Sequence, residues 1–373
     1  MPKPLVLVVL GTRPEAIKLA PVVRALKRRG EVRCRVCVTG QHRELLDQML
    51  RAFALRPADD LALMRPDQGL NDLLSKAVAR LGALIRKTKP ALVLVQGDTT
   101  TALAAALAAF HERVPVGHVE AGLRTFDNCN PFPEELNRAT IDALAALRFA
   151  PTAQAARNLR APGGGRVLIT GNTVIDSLRW VLAHPRPVES SALRRALAAI
   201  KPGDAVALAT AHRRESQGGA IEGFFRAFDR LAAAQPRLHV LFPVHPSPRV
   251  REAARRASKH PRVHRLPPLG YFDLVEVLRR SRFVMTDSGG LIEEAAALGK
   301  PTLILRRVTE RPEAVRAGVA RVAGVAAPAV FALAMRLLDE PAFFRSMAKP
   351  TRVFGDGRAA QRIARAIGAY LAG

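Results

Sequence analysis

The chain has 373 residues, of which 49% are hydrophobic and 24% are charged. This length and balance predict two folded domains and exclude an intrinsically disordered chain, a collagen-like chain and a small disulfide-stabilised protein. Lys and Arg number 58 against 32 Asp and Glu, which gives a formal charge of +26. Aromatic residues make up only 5% and no basic tail is present, which argues against nucleic acid. Arginines scattered over predicted helices are typical of solvated helix faces, and the charge would also attract an anionic small substrate.

Neither the cysteines nor the apolar runs indicate a redox, metal or membrane protein. Cys34 and Cys37 have C-x-x-C spacing, but they fall in a predicted strand, where residues three apart face opposite sides. No second cysteine pair or histidine cluster predicts a metal site. The longest uncharged apolar run, residues 99–110, is shorter than the roughly 18 residues that a spanning helix needs. With no cleavage-type leader at the N-terminus, we expect a cytoplasmic protein.

Short apolar runs alternate with longer segments of helical spacing through the first half of the chain. Strands are predicted over 5–10, 32–38, 91–95, 114–119, 147–150 and 167–169. Helices are predicted over 14–29, 44–54, 70–86, 99–111, 134–144 and 173–182. Near-continuous apolar strands between helices are typical of a parallel sheet covered on both faces.

The pattern lapses over residues 184–204, where Pro, Ser and Gly accumulate, and we place a domain boundary there. A second series of strands follows over 205–210, 238–243, 263–266, 283–286 and 302–305. The predicted fold class is therefore α/β, with two doubly wound Rossmann-like domains. Ligands of such sheets bind beyond the carboxyl ends of the strands, so we expect the active site in a cleft between the domains.

Cationic side chains follow the first predicted strand. Gly11 allows a ligand close to the backbone, and the helix begins near Pro14. Arg13 and Lys18 are placed to bring positive charge to an anion at this helix start. The spacing alone equally allows Lys18 to be an ordinary surface lysine.

Three carboxylic acids fall on neighbouring loops of the first domain: Asp98, Glu120 and Glu134. A site that takes a proton from carbon and returns one needs acids in unlike surroundings. Asp98 could instead cap the following helix. Glu135 could be a first-turn charge that faces water, and we rank it below Glu134.

The second domain offers phosphate-binding signals after its strands. His212 adjoins Arg213 and Arg214, a composition suited to a diphosphate. A strand, the turn Ser288, Gly289 and Gly290, and a helix start together predict a phosphate cradle of backbone N–H groups. Glu294 is then placed for ribose hydroxyls, unless Glu293 and Glu294 only cap the helix. Arg311, just before a proline-started helix, is a further candidate anion contact.

Nine segments in order give the chain a family resemblance. They are GTRPEAIKLAP, TGQHRELLDQML, QGDTTTALAAA, GHVEAGLRT, PFPEELNR, TGNTVIDSL, AHRRES, DSGGLIEEA and TERPEAV. Each alone is modest, but together they resemble the non-hydrolysing UDP-N-acetylglucosamine 2-epimerases over about residues 5–325. The resemblance implies a glycosyltransferase-B-like fold and a homodimer. It also implies a first domain of residues 1–183 to which a helix at 357–373 returns, and a UDP-binding domain of residues 184–356.

The resemblance further implies reversible conversion of UDP-N-acetylglucosamine to UDP-N-acetylmannosamine through 2-acetamidoglucal, without a redox cofactor, for surface polysaccharide precursors. The implied catalytic residues are Asp98, Glu120, Glu134 and His212. The implied UDP-binding residues are Arg13, Lys18, Ser288, Gly289, Gly290, Glu294 and Arg311. No metal, membrane or nucleic acid partner is implied.

Departures from the family pattern leave other outcomes open. Ser216 stands where asparagine is usual, and Phe132 where tryptophan or tyrosine is more frequent. Some members bind a second substrate molecule through residues like Gln41 and His42 and an arginine, whose place Asp67 takes here. A hydrolysing 2-epimerase and an epimerase for a diacetamido sugar nucleotide are the alternative functions. A transferase of the same fold is less favoured, because it would need an acceptor groove instead of the acids.

Overall fold

The computed structural model describes residues 2–40, 43–64, 68–159, 165–211, 219–257 and 260–373. The chain divides into two compact units, one of Met1–Arg179 with Phe354–Gly373 and one of Trp180–Val353. The first division falls inside the helix Thr173–Ala183, whose spacing continues without a break, so the sequence pattern carries no signal at that point. Within the described ranges, no helix is both long and apolar enough to cross a membrane.

The first unit contains a seven-stranded parallel sheet. Its strands are β1 (Leu5–Leu10), β2 (Arg33–Val38), β3 (Asp59–Asp60), β4 (Leu92–Gln96), β5 (Val116–Val119), β6 (Leu147–Ala150) and β7 (Arg166–Ile169). They are ordered β3-β2-β1-β4-β5-β6-β7. The sequence analysis missed β3 because two aspartates carry no apolar pattern; this strand pairs in parallel with Cys37 and Val38 of β2.

Helices follow the strands as a doubly wound fold requires. They are α1 (Arg13–Arg29), α2 (Arg43–Ala52), α3 (Leu70–Thr88), α4 (Thr100–His111), α5 (Glu134–Leu144), α6 (Ala153–Asn158) and α7 (Thr173–Ala183). The alanines of α4 are buried with Leu7 and Val9 of β1 and Val93 and Val95 of β4. Small side chains let this helix lie close to the centre of the sheet, which fixes the loop before it.

The second unit contains a six-stranded parallel sheet of the same winding. Its strands are β8 (Ala205–Thr210), β9 (Leu238–Pro243), β10 (Val263–Leu266), β11 (Phe283–Thr286), β12 (Thr302–Ile304) and β13 (Ala320–Val322), in the order β10-β9-β8-β11-β12-β13. Its helices are α8 (Ser191–Ala198), α9 (Gly219–Ala234), α10 (Pro248–Arg256), α11 (Tyr271–Arg280), α12 (Gly289–Ala297), α13 (Pro312–Arg316), α14 (Ala327–Asp339) and α15 (Pro341–Met347). Helix α8 lies within residues 184–204, where the sequence pattern lapses and the domain boundary was predicted. Ser190 caps it by accepting the Leu193 N–H at 3.2 Å.

The last helix, α16 (Ala359–Ala372), belongs to the first unit. Asp176 of α7 accepts the N–H groups of Ala359 and Ala360 at 3.2 and 2.9 Å. Burial raises the pKa of Asp176 to about 6, against the lowering effect of these two hydrogen bonds. One carboxylate therefore anchors the start of α16.

In both sheets the strand order reverses direction at one point, between β1 and β4 and between β8 and β11. Loops at the carboxyl ends of strands flanking such a point separate and leave room for a ligand. The candidate residues of each unit follow these strands or their neighbours.

Candidate functional site

The turn from β1 to α1 is occupied by a buried acid that the sequence analysis did not single out. Glu15 Oε2 accepts the N–H groups of Gly11 and Thr12 at 3.0 and 2.7 Å and the Thr12 hydroxyl at 2.7 Å. Its Oε1 accepts the Thr99 hydroxyl at 2.8 Å. Burial raises the pKa of Glu15 despite these hydrogen bonds. The Glu15 carboxylate thus accepts hydrogen bonds from the backbone amides at the helix start where an anionic ligand was expected. Arg13, in the same turn, is half-buried.

Glu120 follows β5 and is held by three donors. Lys18 Nζ lies 2.7 Å from Oε1 and 2.5 Å from Oε2, and Asn172 Nδ2 donates to Oε1 at 2.8 Å. Gln96 donates to Oε2. The side chain is buried and its backbone has φ of +67°, a conformation that is uncommon outside glycine. Lys18, expected at UDP, is therefore the counter-ion of a candidate catalytic acid in this structure.

Asp98 lies on the loop after β4 and pairs with a buried arginine. Arg138 Nη2 is 2.7 Å from Asp98 Oδ2, and Asn137 Nδ2 donates to the Asp98 carbonyl at 2.9 Å. The alternative that Asp98 caps α4 is wrong, because Thr99 is the cap and accepts the Ala102 N–H at 3.0 Å. The Asp98 carboxylate is thus left to interact across the loops.

Glu134 and Glu135 open α5 with different surroundings. Glu134 is half-buried, whereas Glu135 is only 2% exposed. Glu135 accepts the N–H groups of Thr125 and Phe126, both at 3.1 Å, and lies 3.4 Å from Arg138 Nη1. The expectation that Glu135 faces water is wrong, since it anchors the loop before α5.

His118 and Asp142 form a buried pair behind the acid loops, and the sequence analysis assigned neither a role. His118 Nδ1 lies 2.5 Å from Asp142 Oδ1, and Nε2 lies 2.7 Å from the Gly97 carbonyl oxygen. Asp142 Oδ2 also accepts the Gly122 N–H at 3.1 Å and Arg124 Nη2 at 2.5 Å. Burial opposes ionisation of Asp142, but His118 and Arg124 outweigh it and lower the pKa of this carboxyl. His118 lies in the family segment GHVEAGLRT, so its position could have been singled out from the sequence. Asp142 lies in none of the quoted segments, and its local sequence does not indicate a partner at residue 118.

In the second unit the predicted phosphate cradle is the turn between β11 and α12. Ser288 precedes α12, and its N–H donates to Thr286 Oγ1 at 3.0 Å. Among described residues, its side chain makes no capping hydrogen bond. A Cβ built on Gly290 would meet no described atom within 4 Å. The first turn of α12 therefore combines helix-start amides with open space.

Glu294 and Arg311 surround this turn with buried charges. The Tyr271 hydroxyl donates to Glu294 Oε1, and Arg311 Nε donates to Glu293 Oε1. A Cβ on Gly289 would lie 3.3 Å from the Arg311 guanidinium carbon, so Arg311 packs directly against the turn. The alternative that Glu293 and Glu294 only cap α12 is wrong, because both carboxylates bind side chains. Tyr271 was missed because nothing in its local sequence points to residue 294.

Several predicted positions lie outside the described residues. They are His212 with Arg213, Arg214 and Ser216, and the activator-related positions Gln41, His42 and Asp67.

The cysteine pair has no environment for redox chemistry. Cys34 and Cys37 are free thiols in β2. Burial raises the pKa of Cys34 to about 11 and that of Cys37 to about 12, so both stay protonated and unreactive near neutral pH. Over the described part of the chain, no group of three or more His, Cys, Asp or Glu side chains is arranged to hold a metal ion.

Comparison with known proteins identifies the family. The model of the UDP-N-acetylglucosamine 2-epimerase family matches residues 24–368. UDP-N-acetylglucosamine 2-epimerase of Bacillus subtilis (strain 168) is 44% identical over 368 residues, covering 97% of this chain and 94% of the relative. The structure of S. aureus MnaA with UDP has a TM-score of 0.92 at 40% identity and covers 99% of this chain and 97% of that chain. UDP-GlcNAc 2-epimerase from Neisseria meningitidis bound to UDP-GlcNAc has a TM-score of 0.92 at 39% identity, covering 97% and 99%. The chain belongs to the UDP-N-acetylglucosamine 2-epimerase family.

Proposed function

We propose that this enzyme interconverts UDP-N-acetylglucosamine and UDP-N-acetylmannosamine by inverting sugar carbon 2. The proton on that carbon is not next to a carbonyl, so direct removal is difficult. In the proposed elimination the bond from carbon 1 to the UDP oxygen breaks, the carbon 2 proton leaves, and 2-acetamidoglucal forms. UDP then adds back to carbon 1 while a proton reaches the opposite face of carbon 2. No electrons are gained or lost, so the reaction needs no redox cofactor.

The observation that carries the proposal is the difference in surroundings between two acids that follow β5, Glu120 and Glu134. Glu120 is buried among three donors, one of them the Lys18 ammonium, whereas Glu134 is half-buried at a helix start. Two acids that remove and return a proton in turn require such unlike surroundings. We assign these roles to Glu120 and Glu134, and the support of the sugar or of a partner acid to Asp98.

Residues proposed to bind UDP occur in each unit. Gly289 and Gly290 offer backbone N–H groups to the diphosphate, and Ser288 offers its hydroxyl, because its N–H already donates to Thr286 Oγ1. Glu294 is assigned to the ribose hydroxyls. Arg13 is proposed as a further UDP contact and His212 as the group that stabilises the departing diphosphate. Lys18 and Arg311 already pair with Glu120 and Glu293, so beside binding UDP they orient Glu120 and support the Ser288–Gly290 turn.

Proton NMR of the enzyme with UDP-N-acetylglucosamine in D₂O tests the reaction directly. We expect the manno epimer to appear with deuterium at carbon 2. Free N-acetylmannosamine with UDP would instead show a hydrolysing enzyme. No change in the spectrum would refute this substrate, and a diacetamido sugar nucleotide would then be tried.

Substitution of the two acids tests their roles. Removing one general acid or base costs about 10²- to 10⁴-fold in rate, so we expect a fall of that size in both Glu120→Gln and Glu134→Gln. The matched control is Glu31→Gln, whose parent side chain is exposed and pairs with the exposed Arg29. Unchanged turnover in both acid variants would remove these residues from the mechanism.

The resemblance also supports a homodimer that acts in the cytoplasm to supply surface polysaccharide precursors. Light scattering should then give twice the 40.3 kDa mass of the chain, and cell fractionation should recover the protein with the cytosol. A monomeric mass would refute the dimer.

A further inference from the structure

A buried histidine connects the two loops that carry candidate acids of the first unit. His118 lies in β5 with no exposed surface. One ring nitrogen faces Asp142 of α5 and the other faces the Gly97 carbonyl, at 2.5 and 2.7 Å. Gly97 immediately precedes Asp98, and Glu120 follows His118 by two residues. The ring therefore lies between the backbone segments that position both acids.

The acceptors on each side fix what the ring must donate. A carbonyl oxygen has no hydrogen to give, so the contact with Gly97 requires a proton on Nε2. The Asp142 carboxyl also receives Arg124 Nη2 and the Gly122 N–H on Oδ2, and these donors keep it ionised. The contact at Nδ1 therefore needs a proton as well, which makes His118 a donor on both sides.

His118 and Asp142 each hold one of the two loops. Asp142 holds the loop after β5 through Gly122 and Arg124, whereas His118, itself in β5, holds the loop after β4 through Gly97 and contacts Asp142 with its other ring nitrogen. Both glycines have positive φ, +71° at Gly97 and +84° at Gly122, so each loop turns sharply at the anchored residue. A shift of either anchor would move the acid next to it.

We propose that His118 and Asp142 form a clamp that sets the spacing of the Asp98 and Glu120 loops. Both are positioning residues, since each acts on backbone and not on substrate. The proposal deepens the proposed function and rests on it, because a fixed spacing matters only if both acids serve one reaction. Placement errors of about 1 Å can lower turnover about 100-fold.

Two substitutions at position 118 separate the two halves of the clamp. In His118→Gln the terminal amide takes the place of Nε2 and still donates to Gly97. In His118→Asn the amide takes the place of Nδ1 and still donates to Asp142, but the Gly97 carbonyl loses its donor. Asp142 keeps Gly122 and Arg124 in both variants.

We expect His118→Asn to lower kcat at least 10-fold and His118→Gln to lower it less than about threefold, with KM for the UDP-sugar unchanged in both. A merely structural histidine would give equal losses, or losses that follow the thermal midpoint. Equal kcat values for the two variants, or a KM that rises as kcat falls, would overturn the clamp.

Nitrogen-15 NMR of the wild-type protein labelled on histidine tests the geometry without activity. At pH 7.5 we expect one histidine ring that carries protons on both nitrogens and exchanges them slowly with water. The signal is assigned to His118 by its absence from His118→Asn. Should that variant not fold, through-space contacts to β5 assign it instead. A ring with a single proton would overturn the clamp. If the wild type converts no UDP-N-acetylglucosamine yet this signal is present, the proposed function fails while the clamp stands.

Discussion

Gly290 provides a test of the phosphate cradle in which stability and binding should move in opposite directions. A Cβ at this position meets no described atom within 4 Å, and no left-handed φ is involved. Gly290→Ala should therefore fold normally and gain up to about 1 kcal/mol in unfolding free energy from the helix preference of alanine. The same methyl group would stand in the space assigned to the diphosphate.

The expected loss of binding follows from the contacts the methyl group would displace. A hydrogen bond to a charged group contributes about 1.5–3 kcal/mol, so losing one amide-to-phosphate contact should weaken UDP binding about 10- to 150-fold. Isothermal titration calorimetry with UDP measures the Kd, and urea unfolding measures the stability.

Gly223→Ala is the matched control. It lies in α9 of the same unit, and its Cβ would meet Ala327 Cβ at an ordinary 3.6 Å. We expect a similar gain in stability and an unchanged Kd for UDP. If Gly290→Ala binds UDP as tightly as the wild type, the turn before α12 does not face the diphosphate, and the cradle is refuted.

Three further predictions concern buried charges. Lys18→Met removes the cation of a buried pair with Glu120 and should lower the unfolding free energy by about 3 kcal/mol. The control Arg29→Met removes the cation of an exposed pair and should change the unfolding free energy by less than about 1 kcal/mol. Equal effects of the two substitutions in urea unfolding would contradict this prediction. Burial raises the pKa of Asp176 from 3.8 to about 6, so ionising it opposes folding, and stability should fall as pH rises from 4 to 7, by at most about 3 kcal/mol. Asp176→Asn should lack this fall, and parallel pH curves would exclude the effect. Tyr271→Phe removes the hydroxyl that donates to Glu294 Oε1 and should weaken UDP binding about 2- to 10-fold. It should also reduce the ratio of affinities for UDP and 2′-deoxy-UDP; an unchanged ratio would remove Glu294 from the ribose.

The sheets could be predicted because their strands bury both faces. Runs such as Leu5–Leu10 and Leu238–Pro243 are almost wholly apolar, and that signal is local. The strand Asp59–Asp60 had no such signal, because both of its residues are charged. It is accommodated at the sheet because Arg35 of the neighbouring strand pairs with Asp59 at 2.6 Å, a contact between residues 24 positions apart in the sequence. Helix α8 was hidden because its short apolar face is interrupted by two arginines within a Pro- and Ser-rich stretch.

The candidate acids could be located from strand ends, but their partners could not. Glu120 meets Lys18 across 102 residues and Asn172 across 52, and only the folded sheet brings these loops together. The sequence analysis predicted that Lys18 binds an anionic ligand and did not predict its ion pair with Glu120. A lysine side chain can make either interaction, so the sequence alone does not distinguish them. Which of the two a lysine makes depends on the acid that the fold places beside it.

Helices α4 and α12 occupy equivalent positions in their units. Helix α4 follows β4, which lies beside β1, and helix α12 follows β11, which lies beside β8. Thr99 is the N-cap of α4, and its hydroxyl accepts a backbone N–H of that helix. Ser288 is the N-cap of α12, and its side chain makes no such hydrogen bond among the described residues. The two units thus share one architecture and differ in whether the hydroxyl before the helix binds the backbone of that helix. Redesign of ligand preference in either half would begin at that hydroxyl and leave the sheet untouched.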